Sequence, residues 1–232
     1  ALKEEIRKLS EQKKTLLLSA GFPADYLEPV YECEDCKDTG YIGNRKCHCF
    51  HKAVIDLLYT QSNLQHILEK ENFDTFSLSY YSDNHIDPKT GRSSLTNMKN
   101  AYLTCREFAD TFADNFRNLF LYGDTGVGKT FLSNCIAKEL IDHAYSVIYF
   151  TAFELFDTIA KSKFEKDNTA EIMYEHIFNC DLLIIDDLGT ELSNAFTVSQ
   201  LFLCLNERLL RRKSTIISTN LSLESLVEIY SE

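Results

Sequence analysis

A short glycine-rich loop behind an apolar run is the feature that most constrains how this chain can fold. Residues 118–130 read NLFLYGDTGVGKT, which places the pattern Gly-x-x-x-x-Gly-Lys-Thr between Gly123 and Thr130. Backbone N–H groups in such a loop, backed by a helix N-terminus, form a concave site for phosphate groups. The apolar residues that follow recur at helical spacing. The pattern therefore predicts a strand, a phosphate-binding loop and a helix, with a glycine-rich turn that binds no ligand as the alternative.

This loop supplies most of the residues that we predict to bind a nucleotide. Lys129 offers a mobile positive charge to the β- and γ-phosphates, and the Thr130 hydroxyl can ligate Mg²⁺. Glycine permits the sharp, left-handed turns that let the backbone approach phosphate oxygens closely. The predicted nucleotide-binding residues of the loop and the turn after it are Gly123, Asp124, Thr125, Gly126, Val127, Gly128, Lys129, Thr130 and Phe131.

A second apolar run ends in paired carboxylates. Residues 181–189 read DLLIIDDLG, as expected of a central parallel strand whose carboxyl end lies where open α/β sheets bind ligands. Asp186 is predicted to join the nucleotide site by holding Mg²⁺ opposite Thr130, mostly through water. Asp187 is predicted to be catalytic, because a carboxylate there could orient or deprotonate the attacking water. Considered by itself, the run would be better interpreted as a solvated strand end.

A third strand pattern ends in a polar amide. Residues 214–220 read STIISTN, and in a parallel sheet Asn220 would reach the γ-phosphate region or the attacking water. We therefore predict Asn220 as a catalytic residue together with Lys129 and Asp187. The alternative is a helix or turn cap, a position that Asn often occupies.

Strand and helix patterns alternate through the rest of the chain, which indicates an α/β fold with a doubly wound parallel sheet. Residues 1–70 are predicted to form a small helical zinc-binding domain and residues 71–232 a nucleotide-binding domain, with a loop or mobile segment at 82–97. The other predicted elements are a helix at 98–116, a strand at 119–121 with a helix to about 143, a strand at 146–150 with a helix from 152, and a helix at 196–212 before the strand at 214–219.

Composition narrows the class of protein. With 232 residues, 44% of them hydrophobic and 25% charged, the chain has the composition of a soluble globular protein. No apolar run reaches the roughly 20 residues that span a bilayer, and the mixed-charge start does not resemble a signal peptide, so we expect a cytoplasmic protein. A net charge of −11 argues against a generally basic surface, so any DNA contact would use a local patch or an assembled ring.

Four of the eight cysteines are clustered in a spacing typical of zinc sites. Cys33-x-x-Cys36 is followed after ten residues by Cys47-His-Cys49, with a glycine-containing hairpin between the two pairs. Cys47 and Cys49 would point the same way in an extended segment, with His48 pointing away and His51 as a spare ligand. We predict a structural zinc ion held by all four thiolates. Two disulfides or four free thiols are the alternatives. The other four cysteines lie in or beside apolar segments and are expected to be buried free thiols.

The motifs GDTGVGKT, LLIIDDLGTE and NERLLRRKSTIISTNLS resemble those of the AAA+ ATPases of the bacterial helicase-loader group, DnaC and DnaI, and of their transposition relative IstB. The resemblance covers about residues 72–232. It implies an AAA+ fold in which residues 123–130 are Walker A, Asp186 and Asp187 are Walker B, and Asn220 is sensor 1. Glu191 falls where the family often has an acid after Walker B, and Arg208 lies in the arginine-bearing helix before the sensor 1 strand.

The same resemblance implies ATP and Mg²⁺ as ligands, the replicative DNA helicase as partner of residues 1–70, single-stranded DNA as a further partner, and self-association through the AAA+ domain. A competing role for the segment with the four clustered cysteines is to bind single-stranded DNA instead of the helicase. Lys161, Lys163 and Lys166 would face DNA in a central channel, or alternatively form a solvated helix end.

The chain stops close to where the resemblance would place the arginine finger, with the sensor 2 arginine further on. We therefore expect it to bind nucleotide but to hydrolyse it poorly. Two other functions stay open, an IstB-like helper ATPase for a transposase and an ATP-gated adaptor that does not hydrolyse nucleotide.

Overall fold

A computed structural model of the chain describes residues 2–50, 53, 64–84, 86–88, 91–165 and 168–230. The chain divides into two compact units, Ala1–His51 and Lys52–Glu232. The division falls earlier in the chain than the predicted domain boundary at residue 70. In the described part of the chain, no helix is long and apolar enough to cross a membrane.

The first unit contains one long helix and a small hairpin. Helix α1 spans Leu2–Ser19, and none of its residues is buried, so its apolar side chains are exposed to solvent. Strands β1 (Tyr41–Ile42) and β2 (Arg45–Lys46) pair antiparallel beside the cysteine cluster. Among residues 2–50, the buried side chains are the thiols of Cys33, Cys36 and Cys47, with Cys49 packed against them.

The second unit is built on a parallel sheet. Among the described residues, four strands form it in the spatial order β5-β8-β7-β6, and every neighbouring pair is parallel. The strands are β5 (Leu119–Tyr122), β6 (Val147–Thr151), β7 (Leu182–Asp186) and β8 (Ser214–Thr219). The predicted doubly wound parallel sheet is confirmed.

Helices cover both faces of the sheet. They are α2 (Leu64–Lys70), α3 (Ser94–Asp110), α4 (Lys129–Asp142), α5 (Ala152–Ala160), α6 (Asn168–Asn179), α7 (Ala195–Leu210) and α8 (Leu223–Tyr230). Helices α2 to α4 pack on one face with Leu182 and Ile184, and α5 to α8 pack on the other face with Leu183 and Ile185. Because side chains alternate along a strand, β7 contributes to both cores, and this requires the continuous apolar run seen in the sequence.

Two predicted segments differ from the structure. The predicted loop at 82–97 contains a short hairpin, β3 (Ile86–Asp87) with β4 (Arg92–Ser93), and α3 already begins at Ser94. Ser93 caps this helix by accepting a hydrogen bond from the Thr96 N–H at 3.1 Å. The helix ends at Asp110, not at Phe116. Because a serine in a polar stretch caps the helix, the helix begins four residues before its predicted start at Met98.

Helix α2 belongs to the core of the second unit. Leu64 and Leu68 are 8% and 4% exposed and join the apolar cluster formed by α3, α4 and the sheet. Just after α2, the Glu71 carboxylate accepts a hydrogen bond from Asn134 Nδ2 at 2.6 Å. His51, the predicted spare ligand, lies outside the described residues.

Candidate nucleotide-binding site

Parallel strands bring the ends of three sequence motifs to one edge of the sheet. Strand β5 leads into the glycine-rich loop, β7 ends at Asp186, and β8 ends next to Asn220. Tyr122 at the end of β5 is in register with Thr219 on β8. The three predicted motifs therefore meet at the carboxyl edge, where α/β sheets bind ligands.

The glycine-rich loop has the backbone conformation that its sequence predicts. Gly123, Gly126 and Gly128 have φ angles of 140°, 81° and 104°, and α4 begins at Lys129. The Lys129 side chain is largely buried, and its Nζ donates to the carbonyl oxygens of Gly123 and Asp124, both at 2.8 Å. The lysine ammonium is thus held inside the concave side of the loop.

An amide bridge connects the loop lysine to the second carboxylate. Lys129 Nζ donates to Asn220 Oδ1 at 2.7 Å, and Asn220 Nδ2 donates to Asp187 Oδ1 at 3.2 Å. Lysine can only donate and a carboxylate can only accept, so these partners fix which end of the Asn220 amide faces each of them. Asp187 takes a left-handed backbone conformation, with φ of 54°. The structure therefore brings together the three residues predicted to be catalytic.

The Asp186 carboxylate is held from four directions. Its Oδ2 accepts hydrogen bonds from Thr130 Oγ1 at 3.0 Å and from the Tyr149 hydroxyl. Its Oδ1 accepts from the Ser218 hydroxyl and from the Asp187 N–H at 3.2 Å. Asp186 is only 4% exposed, so these donors take the place of water around the charge. Thr130 and Asp186 together offer the hard oxygen ligands that Mg²⁺ prefers.

Tyr149 is a neutral donor to this carboxylate. Burial, together with the neighbouring charge of Asp186, raises the pKa of the Tyr149 phenol far above its ordinary value. The phenol therefore keeps its proton near neutral pH, and it can donate to Asp186.

Three residues of this site were not predicted from the sequence. Tyr149 and Ser218 contact Asp186, and Tyr81 donates from its hydroxyl to the Val127 carbonyl oxygen at 3.0 Å. The sequence offered one signal for Ser218, its place in the strand that ends at Asn220. Phe131, predicted as a nucleotide-binding residue, packs against Phe76 with ring centroids 5.6 Å apart.

The side chains of Arg208 and Glu191 form hydrogen bonds with residues other than those of the nucleotide site described above. Arg208 is fully buried, and its guanidinium donates to the carbonyls of Ile177, Cys180 and Ser214 and to the Thr215 hydroxyl. It therefore ties α6 and β8 to α7. Glu191 accepts hydrogen bonds from the Gly189 N–H at 2.9 Å and from the Tyr230 hydroxyl.

Two of the three lysines behind α5 are engaged by neighbouring side chains. Lys161 pairs with Asp157 at 2.6 Å, and Lys163 donates to Gln200 Oε1 at 2.7 Å. Both lie in a π-helical segment, Lys161–Glu165, that continues α5. Lys166 lies outside the described residues. Phe164 in the same segment is exposed and packs against Phe196 with ring centroids 5.5 Å apart.

The four clustered cysteines form a compact group of sulfur atoms. The Sγ atoms of Cys33 and Cys47 are 3.6 Å apart, those of Cys36 and Cys49 are 3.3 Å apart, and all four lie within 4.8 Å of one another. A tetrahedral ion with metal–sulfur bonds of about 2.3 Å would need sulfur separations of about 3.8 Å. All four thiols are free, so the disulfide alternative is wrong for these residues.

Hydrogen bonds around the cluster favour the thiolate at one of its members. Burial acts to raise the pKa of the Cys36 thiol, but hydrogen bonds from Cys49 and from the Gly40 N–H lower it to about 7. The pKa of Cys49 rises to about 12, chiefly because of its hydrogen bond to Cys36. Of these two sulfur atoms, that of Cys36 gives up its proton more readily.

The expected orientation of His48 is wrong. Residues 48–50 are helical and not extended, and His48 Nε2 lies 3.5 Å from the Cys33 Sγ atom and 3.6 Å from Asp35 Oδ2. A helical turn places successive side chains about 100° apart, so the alternation of a strand does not apply.

Comparison with known proteins identifies relatives of the second unit. The family model described as "IstB-like ATP binding protein" matches residues 103–232. This range contains the glycine-rich loop, the paired carboxylates and Asn220.

Individual relatives extend the comparison. The chain is 27% identical over 230 residues to the phage-like element PBSX protein XkdC of Bacillus subtilis, a match that covers 91% of this chain and 80% of that protein. It is 28% identical over 136 residues to the replicative helicase loader DnaC of Buchnera aphidicola, covering 58% of this chain and 55% of that protein. The crystal structure of the DnaC helicase loader aligns with a TM-score of 0.54 at 24% identity, covering 71% of this chain and 89% of that one, which shows a shared fold.

Proposed function

Because this chain belongs to the IstB-like ATP-binding protein family, we propose that it is an AAA+ ATPase of the helicase-loader type. In this proposal it binds ATP with Mg²⁺ and single-stranded DNA, associates with itself through the AAA+ domain, and delivers the replicative DNA helicase to DNA in the cytoplasm. The observation that carries the nucleotide part of the proposal is the Lys129–Asn220–Asp187 bridge at the carboxyl edge of the sheet.

Each group in the nucleotide site has a role suited to phosphoryl transfer. The loop N–H groups and Lys129 would bind the phosphates, and Thr130 and Asp186 would hold Mg²⁺. The bound ion would supply charge neutralisation between the phosphates. Asp187 would orient the attacking water and accept a proton from it. Lys129 would leave the Asn220 Oδ1 atom for the γ-phosphate, and an N–H of Asn220 Nδ2 would donate to a γ-phosphate oxygen. ATP would therefore change the contacts between β8 and the loop, which suits a nucleotide-dependent switch.

For the cysteine cluster we propose a structural zinc ion with Cys33, Cys36, Cys47 and Cys49 as its ligands. Four sulfur ligands leave no open position, as is typical of structural zinc. The buried side chains described in the first unit are cysteines, so metal binding would supply much of the free energy that folds residues 31–50.

The partner proposal rests on the relatives. Two of them are named replicative helicase loaders. The exposed apolar side chains of α1 offer the first unit a surface for a protein partner. An alternative within the same family is an IstB-like helper ATPase that acts with a transposase on duplex DNA, and the family match itself favours keeping this alternative.

A capture experiment separates these functions. The tagged chain is incubated with the replicative helicase, with ATP and Mg²⁺, with ADP and Mg²⁺, or without nucleotide, and the Lys129→Ala variant is the matched control. We expect ATP-dependent capture of helicase that Lys129→Ala abolishes. ATP-dependent binding to duplex DNA without helicase capture would instead support the transposition helper.

A further inference from the structure

Tyr81 makes a contact with the glycine-rich loop that the nucleotide mechanism above does not use. It follows a short 3₁₀ helix, Leu78–Tyr80, that lies before α3 in the chain. Its hydroxyl donates to the Val127 carbonyl oxygen at 3.0 Å, across 46 residues of sequence. Its ring stacks on Phe76 with centroids 6.3 Å apart and planes inclined by 20°.

The peptide that Tyr81 contacts contains a predicted phosphate donor. The Val127 carbonyl and the Gly128 N–H belong to one planar trans peptide, so they point in opposite directions. A hydrogen bond that fixes the carbonyl on the Tyr81 side therefore also fixes the N–H on the opposite side. In a loop of this type the N–H groups on that side bind phosphate oxygens.

A second observation shows how closely Tyr81 lies against this peptide. A Cβ atom placed on Gly128 would lie only 2.6 Å from the Tyr81 hydroxyl oxygen. Glycine at 128 is thus required both by its φ of 104° and by the presence of the Tyr81 side chain. The hydroxyl and the loop backbone are packed together, so the Val127 carbonyl cannot turn away from Tyr81 without breaking the bond.

We infer that Tyr81 is a positioning residue for the phosphate-binding loop, which aims the Gly128 N–H at the phosphates of the nucleotide. The inference rests on the proposed ATP-binding function and adds a residue from outside the Gly123–Thr130 motif to it. Tyr81 never touches the phosphates itself. Its hydrogen bond holds the loop in the binding conformation before the nucleotide arrives. Less conformational entropy is then lost on binding, so the affinity for the nucleotide is higher than it would be without Tyr81.

The test is the Tyr81→Phe variant, which removes the hydroxyl and keeps the ring that stacks on Phe76. The matched control is Tyr80→Phe, because Tyr80 is the neighbouring residue and is 87% exposed. Affinity is measured for ATP and for inorganic triphosphate, the second by competition with a fluorescent ATP analogue. Thermal unfolding of each variant without ligand reports whether the fold is retained.

We expect Tyr81→Phe to weaken the binding of both ATP and triphosphate by about fivefold, the loss of one hydrogen bond's contribution, with Tyr80→Phe unchanged. Equal losses for the two ligands would show that the hydroxyl acts on phosphate binding. A loss for ATP alone would place Tyr81 at the base and overturn the inference, as would wild-type affinity for both ligands. If the wild-type chain binds neither ligand, the proposed ATP-binding function itself fails.

Discussion

Asn220 is the side chain that we propose distinguishes a nucleotide that has a γ-phosphate from one that lacks it. Its amide joins Lys129 to Asp187, and both partners surround the place where the terminal phosphate would lie. Asn220 Nδ2 has two N–H donors, so one could stay on Asp187 while the other donates to a phosphate oxygen. In the proposed switch, ATP would therefore change the hydrogen-bond partners of Asn220.

Replacing Asn220 by Ala should reduce the preference for ATP over ADP. A hydrogen bond to a charged group contributes about 1.5–3 kcal/mol, so the affinity for ATP should fall about tenfold or more while that for ADP stays within about twofold. Isothermal titration with both nucleotides measures the ratio, and ADP serves as the internal control. Equal losses for the two nucleotides would assign Asn220 to general loop structure.

Tyr149 orients the carboxylate proposed to hold Mg²⁺. In Tyr149→Phe, Asp186 keeps its bonds to Ser218 and to the Asp187 N–H but loses one of two donors on the oxygen shared with Thr130. We expect the Mg²⁺ concentration for half-maximal ATP binding to rise about threefold, within the range of one lost hydrogen bond, while ATP binding in EDTA is unchanged.

The control for this measurement is Tyr145→Phe. Tyr145 packs against Phe112 with ring centroids 4.9 Å apart, and it has no role in the proposed nucleotide site. The variant therefore deletes a phenol hydroxyl from the same unit without removing a donor to Asp186. A half-maximal Mg²⁺ concentration that stays at the wild-type value in Tyr149→Phe would remove the orienting role.

Helix α2 lies between the observed division of the chain and the predicted boundary at residue 70, so substitutions in it test where the ATP-binding unit begins. Leu68 is 4% exposed within the core of that unit, whereas Ile67 on the same helix is 40% exposed. Leu68→Ala should therefore destabilise the unit by about 2–4 kcal/mol, because it leaves a cavity, and Ile67→Ala should cost less than about 1 kcal/mol. Urea denaturation followed by circular dichroism measures both. Equal small effects would show that α2 belongs with the first unit, as the predicted boundary at residue 70 has it.

The elements that could be predicted are those whose signal is local. Strand β7 was predictable because a strand buried on both faces requires a continuous apolar run, and the loop and its helix follow from a contiguous motif. The start of α3 was missed because a capping serine in a polar stretch defines it.

Contacts between distant residues could not be predicted in the same way. Tyr81, Tyr149 and Ser218 are separated from their partners in the site by 46, 37 and 32 residues. Tyr81 and Tyr149 have no local sequence signature, and Ser218 has only its place in the strand that ends at Asn220. Their roles depend on the order β5-β8-β7-β6, which sets the strand ends that meet, and the sequence pattern fixes strand type but not that order.

For the molecule as a whole, the division into two compact units predicts that metal and nucleotide act on separate parts of the chain. The cysteine cluster lies in the first unit, and the glycine-rich loop, both carboxylates and Asn220 lie in the second. Zinc would stabilise residues 31–50, since these residues have little apolar core of their own. ATP would bind at the carboxyl edge of the parallel sheet in the second unit. A loader with this organisation could hold its protein partner with one unit while the other responds to nucleotide.

Removing zinc should therefore abolish partner capture and spare ATP binding. A zinc-selective chelator, added with excess Mg²⁺, or the Cys36→Ser and Cys47→Ser substitutions, should expose residues 31–50 to protease and eliminate helicase capture. ATP affinity should stay within about twofold of wild type, because the ATP-binding unit keeps its own core. His48→Ala is the matched control, since it changes a residue beside the cluster and leaves all four sulfur ligands, and it should retain one zinc per chain. A fall in ATP affinity on chelation would show that the two units are coupled, and zinc lost from His48→Ala would mean that the four sulfurs do not suffice to hold the ion.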